Sequence, residues 1–395
     1  MLKIKSNYDF SKIIMKAIKQ AFSPIKEFIR DSRFVGILLL LSTTLALLIA
    51  NSTYYPFINN LLHHTIINSS YLPNSLTEWI NDFLMVFYFL LVGLEIKRAL
   101  LVGELKNKKT ALTPIIAALG GMIVPGLIYF LITKQTTFSN GWGIPMATDI
   151  AFSLGILSLF SKRIPISLKI FLMALAIIDD LGGILVIALF YSKAITFYYL
   201  LLSTVLLFLL WKFAAKLNPL WSILFSLGIW YCIHHSGIHG TIAGVAIAWC
   251  LPIASAAKLE HILHDFIRFI ILPVFVFANT LLPIPTSTSL FQFNAMQIGI
   301  IAGLTIGKPI GILSFLGIGL RLGWCQLPSG ANWKHLFIVA IIAGIGFTIS
   351  LFISKLAFAN EGAQQAATIA ILVAFCISLV GTFIAYQLLK LLHQE

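Results

Sequence analysis

The stretch LKIFLMALAIIDDLGGILVIALF, residues 168–190, is apolar except for Lys169 at its start and the adjacent acids Asp179 and Asp180 inside it. Its length matches the ~20 apolar residues with which a helix crosses the hydrocarbon core of a bilayer. A charged residue at the centre of such a helix costs about 2.5–3.5 kcal/mol on insertion scales, so an ionised pair costs on the order of 5–7 kcal/mol. A chain keeps such a pair only where it faces an internal polar cavity. Successive helical residues point roughly 100° apart, so one carboxylate faces that cavity while its neighbour meets a partner.

The rest of the chain follows the same pattern. Of 395 residues 59% are hydrophobic and 10% charged, with a mean hydropathy of +0.96, against a charged share of roughly 25% in soluble domains. Apolar runs recur at 34–51, 82–101, 111–133, 143–160, 168–192, 197–216, 220–235, 238–252, 264–283, 297–320, 335–355 and 364–389. They predict an all-α polytopic membrane protein of about twelve transmembrane helices, not the alternating strands of an outer-membrane barrel. Residues 1–33 form a basic head, a poor match to a cleavable signal peptide, and 34–392 a single transmembrane domain.

Lysine and arginine set the orientation. The head carries Lys3, Lys5, Lys12, Lys16, Lys19, Lys26, Arg30 and Arg33, and the loop after the second span carries Lys97, Arg98, Lys106, Lys108 and Lys109. Later ends on that side add Lys162, Arg163, Lys258, Arg268 and others, whereas Lys134, Lys193 and Lys355 face the opposite side and Lys308 alone lies deep in a span. The positive-inside rule makes both termini cytoplasmic. It also explains the net charge of +13 without a nucleic-acid partner. The four cysteines, Cys232, Cys250, Cys325 and Cys376, are scattered without metal-ligand spacing and read as ordinary buried residues. No cofactor or obligate protein partner is implied; the lipid bilayer is the surrounding partner. The external connection at 51–81 has no lysine or arginine, and alternation in HTIINSSYL allows a short hairpin there as well as plain loop.

Two spans look breakable at mid-membrane. GWGIPMATDIAFSLG, 141–155, contains Pro145 and the polar pair Thr148 and Asp149; AGIGFTISLFIS, 343–354, contains Gly344 and Gly346. Irregular backbone at that depth is tolerated only where it is buried in protein or lines a watery cavity. Broken helices in corresponding halves of a transporter point to its binding site. Lys308, in TIGKPIGI, is the natural partner of the deep acids, yet one lysine cannot neutralise Asp149, Asp179 and Asp180 together. Two nearby carboxylates in a desolvated cavity resist simultaneous ionisation, and sodium prefers oxygen ligands by analogy with other hard cations. Such a site holds protons or a cation, each excluding the other. If the spans break, half-helix ends of opposite partial charge meet, and Asp149 offsets the N-termini while Lys308 offsets the C-termini. For Thr148 a bond to its own helix backbone is the plainer alternative.

Other candidates are weaker. Asp82, opening the second span, sits either in an external funnel or at an interfacial cap. Glu95 closes that span beside Lys97 and Arg98, as an interfacial charge pair does. Glu260, His261 and His264 in KLEHILH share a surface at a cytoplasmic helix start, either as a proton-responsive patch or a solvated helix end. His239, in SGIHGTIAG, reads as a satisfied interfacial histidine.

Taken together, WINDFLMVFYFLLVGLEIKR, IPMATDIAFSLG, LKIFLMALAIIDDLGGI, SGIHGTIAG, KLEHILH, LPVFVFAN, IGKPIGI and AGIGFTISLFI resemble the NhaA-type sodium/proton antiporter family. The resemblance covers nearly the whole chain beyond the head. It implies inverted-topology repeats with two broken, crossing helices, and electrogenic, pH-regulated exchange of sodium or lithium for protons. It makes Asp180 the central cation and proton carboxylate and Asp179 its neighbour, cycling between Lys308 and opening. Thr148 and Asp149 fall at the first helix break, Asp82 in the external funnel, and Glu95, Glu260, His261 and His264 in pH sensing. It further implies a homodimer through an external hairpin within 51–81. The chain departs from the family pattern at Asp265 and Arg268 and at Ala99, all on the presumed pH-responsive surface. A sodium-coupled symporter of a small organic anion is the nearer rival. An intramembrane aspartyl protease would need a GxGD motif, which the chain lacks.

Overall fold

The protein is described here from a computed structural model that covers residues 32–67, 72–103, 105–106, 108–160, 164–192, 195–214, 218–283 and 293–391. Most of the predicted basic head, residues 1–31, and positions 68–71 of the external connection lie outside the described residues. Among the described residues regular structure is helical, and β pairing is limited to an isolated bridge between Thr65 and Ser75.

In chain order the helices are α1 Ser32–Ala50, α2 Tyr55–His63, α3 Met85–Leu101, α4 Lys108–Thr133, α5 Ile150–Leu159, α6 Ile166–Phe190, α7 Phe197–Phe213, α8 Pro219–His235 and α9 Ile242–Cys250. They continue with α10 Ile253–Phe266, α11 Leu272–Thr280, α12 Ala295–Ala302, α13 Lys308–Arg321, α14 Trp333–Ala343, α15 Phe347–Ala357 and α16 Glu361–Leu391. A 3-10 segment, Ser139–Met146, precedes α5. Three π-helical segments, Trp79–Leu84 ahead of α3, Ile267–Ile271 between α10 and α11, and Gly303–Gly307 between α12 and α13, keep those helices continuous. Two of these segments are followed, after one intervening residue, by a proline, Pro273 or Pro309, whose missing amide hydrogen removes a bond of the regular ladder.

Among the described residues, five helices are long and apolar enough to cross a membrane, and up to eight if each of three bent pairs counts as one span. Large apolar side chains such as Leu48 (66% exposed), Leu189 (73%) and Phe197 (77%) point outward. A surface of that kind is stable against lipid, not water. The two spans predicted to break do so, with bends of 40° between Ser139–Met146 and α5 and 44° between α14 and α15. Phe152 of α5, Phe347 of α15 and Phe375 of α16 pack ring to ring at centroid distances of 4.9–5.4 Å and hold the second halves of both broken helices together.

Two boundaries differ from expectation. The connection 51–81 is not plain loop: it holds α2, bent 112° away from α1, and a helical turn Leu76–Glu78 that starts the second span ahead of Asp82. The span predicted from 264 begins at Ile253 and runs unbroken to Thr280. The amphipathic stretch KLEHILHDF lowered the apolar signal although the backbone is helical throughout. Arg268, predicted at a cytoplasmic end, therefore lies inside a candidate span, so Lys308 is not alone there.

Candidate ion-binding site

The two breaks lie against one another. The Asp149 amide donates to the Ile345 carbonyl at 2.7 Å, linking the unwound backbones directly. A Cβ on Gly344 would strike the Leu304 carbonyl, and one on Gly346 the Ala147 carbonyl; glycine is needed there for close approach. Asp149 is the N-cap of α5, its Oδ1 accepting from the Phe152 amide at 3.0 Å. Its Oδ2 accepts from the amide and hydroxyl of Thr348, at 3.1 and 2.5 Å, in the first turn of α15. One carboxylate thus caps two half-helix N-termini, where a partial positive charge is expected.

The opposing C-terminal ends are also served. Lys308 is fully buried and its ammonium donates to the Met146 carbonyl at the end of the 3-10 half. Ser153 of α5 donates to the Ile342 carbonyl at 3.2 Å, and Ser350 of α15 donates to Ile144 at 2.7 Å. The Thr148 hydroxyl lies 2.9 Å from the Ala343 carbonyl and 2.7 Å from Asp179 Oδ2. The alternative bond to its own helix gives way to contacts with two other elements, because the backbone at Thr148 is already unwound.

Asp179 and Asp180 divide as the helical geometry requires. Asp179 Oδ2 is 2.8 Å from Lys308 Nζ, in an ion pair from which water is excluded. Both oxygens of Asp180 and Oδ1 of Asp179 are buried without a hydrogen-bond partner. An ionised carboxylate buried in that way is strongly disfavoured. Its stable states carry a proton or lie beside a cation.

The profile described as Na+/H+ antiporter 1 matches residues 26–387. The chain belongs to this family. It is 41% identical over 379 residues to the Na(+)/H(+) antiporter NhaA of Vibrio cholerae, covering 93% of this chain and 97% of that relative. It is 42% identical over 390 residues to the Na(+)/H(+) antiporter NhaA 1 of Clostridium beijerinckii, with 94% and 97% covered. With the NhaA of Vibrio parahaemolyticus it shares 43% identity over 348 residues, 85% of this chain and 89% of that one.

The remaining candidates of this family member fall into two groups away from the crossing. Asp82, in a π-helical segment, pairs with His239, Oδ1 to Nε2 3.2 Å, while His239 Nδ1 lies 2.9 Å from the Thr241 hydroxyl. His239 is satisfied on both ring nitrogens, as expected. On the other side, Arg98 pairs with Glu260 at 3.0 Å and His264 with Asp265 at 3.5 Å, while His261 is exposed. Glu95 does not form the expected pair with Lys97 and Arg98. The Lys97 ammonium instead donates to the carbonyls of Ala248, Trp249 and Leu251 at the C-terminal end of α9, where a cation is favoured. The π-helical segment that carries Arg268 packs against α3, the helix of Glu95.

Ser153, Ser350 and Thr348 were not singled out in the sequence. The available signal was a serine four residues into each second half, 149 to 153 and 346 to 350, within otherwise apolar runs.

Proposed function

We propose that the protein is a secondary transporter, not an enzyme, that expels sodium or lithium in exchange for external protons across a bacterial inner membrane. The observation that carries this is Asp180: a carboxylate at the crossing, with both oxygens buried and unpartnered. Protons and a hard cation compete for it, and competition becomes exchange once the cavity opens alternately to the two sides. Asp179 is the second carboxylate. Leaving Lys308 exposes its oxygens to the cation; rejoining Lys308 expels it. Asp149 and Lys308 hold the half-helix ends together during this cycle.

The finer architecture is twelve spans in inverted repeats with cytoplasmic termini. The reciprocal bonds Ser153 to Ile342 and Ser350 to Ile144 support the repeat, because each broken helix serves the other in the same way. Each of the twelve predicted intervals overlaps at least one helix. Glu95, Glu260, His261 and His264 form the proton-responsive side, and Asp82 with His239 the external funnel. The chain forms a homodimer through 51–81 in the lipid bilayer, needing no cofactor and no obligate protein partner.

The test is sodium-induced proton release from purified protein and sodium-driven proton movement in proteoliposomes. Asp180→Asn keeps the side chain's size and removes its charge, and both signals are expected to vanish. Undiminished exchange in that variant rejects the site.

A further inference from the structure

Arg268 stands inside a candidate span, Ile253–Thr280. It lies in the π-helical segment Ile267–Ile271. Such segments cluster at functional positions, and the other two contain Asp82 and abut Lys308. Arg268 lines a narrow cleft with Val35 of α1 and Ile150, Ala151 and Leu154 of α5, and it is the only charged side chain among those five. α1 begins three residues before Val35, and α5 starts at Asp149's cap and runs away from the crossing. Ile150 directly follows the cap Asp149, so the cleft that Arg268 lines reaches the depth of the crossing.

The groups facing Arg268 connect it electrically to that site. Glu95 and Tyr88 lie seven residues apart on α3, on one face of the helix, and α3 packs against the π-helical segment that carries Arg268. Tyr88 is buried, and α3 packs also against α6, the helix of Asp179 and Asp180. On Arg268's own helix Asp265 attracts it, and His264 lies one turn away. Asp149, the cap of α5, is occupied by the two helix N-termini. Arg268 and Glu95 therefore set the local sign of charge along the cytoplasmic approach.

We propose that Arg268, balanced by Glu95, is an affinity-setting residue of the cytoplasmic entry path. Its fixed positive charge opposes a cation moving towards Asp180, and Glu95 offsets that opposition. The inference rests on the antiport reading and on its orientation.

Everted membrane vesicles, whose outer face is the cytoplasmic one, give the apparent KM for sodium directly. Measurement belongs at alkaline pH, where proton competition at the carboxylates is weakest. Arg268→Gln is expected to lower the KM about three- to tenfold, a range suited to one charge acting through a partly hydrated interior, with the maximal rate nearly unchanged. Glu95→Gln is expected to raise it by a similar factor, Arg268→Lys to keep the wild-type value, and the double Glu95→Gln, Arg268→Gln to return near it. A purely structural role predicts no such opposition of sign. An unchanged KM in Arg268→Gln, equal effects of Lys and Gln, or shifts of the same direction in both single variants overturns the proposal. Absence of sodium-driven exchange in the wild type overturns the antiport reading instead, and is seen before any variant is compared.

Discussion

Lys308 bears on two obligations at once: the ion pair with Asp179 and the bond to the Met146 carbonyl. Removing one member of a buried pair strands the other, with a loss of about 3–5 kcal/mol, whereas replacing both by uncharged groups restores much of it. Lys308→Met should therefore lower the thermal unfolding temperature in detergent well below that of the double variant Asp179→Asn, Lys308→Met. The sign with pH follows from which charge is stranded. In Lys308→Met the lone Asp179 carboxylate is relieved by a proton, so the stability deficit against wild type should shrink on acidification and grow towards alkaline pH. Equal stability of the single and double variants, or a deficit that grows in acid, would contradict the buried-pair account.

The broken helices hold because each supplies the polar groups that the other's freed backbone lacks. Ser153→Ala and Ser350→Ala each leave one buried carbonyl short of a donor, at about 1–3 kcal/mol apiece. The two losses should be similar in thermal unfolding; a large loss for one and none for the other would break the reciprocity. The breaks themselves were legible: Pro145, Gly344 and Gly346 interrupt apolar runs, and Asp149 and Lys308 are charges with no other use at that depth. Their division of labour followed from half-helix dipoles. The serines were not legible, because a serine in an apolar span bonds its own helix as readily as another's, and only the crossing decides. The α10–α11 helix shows the opposite failure. Hydropathy marks where a helix meets lipid, not where it starts, so a helix with a polar first half appeared shortened, and Arg268 was displaced to its end. Glu95 was misassigned for another reason: Lys97, two residues on, points to a different face, and Arg98, three residues on and within reach, pairs with Glu260 of another helix instead.

At the scale of the molecule, the question is how much charge one turnover carries. Asp180 alone would trade one proton for one sodium ion, which moves no net charge. Asp179 changes this. In the proposed cycle it holds no exchangeable cation while paired with Lys308, and when the pair opens it becomes a second carboxylate that can take a proton as well as a ligand role. Exchange of unequal charge then follows, and the membrane potential contributes about 2.3 kcal/mol per charge per 100 mV. At equilibrium that is about a fiftyfold shift in the sodium gradient for each net charge moved. Proteoliposomes with no pH difference, clamped by a potassium gradient and valinomycin, should accumulate or expel sodium according to the sign of the imposed potential. Expulsion should run from the side the potential makes negative, since the excess protons are drawn inward there. A sodium distribution that ignores the potential would confine proton exchange to Asp180 and reduce Asp179 and Lys308 to a structural pair.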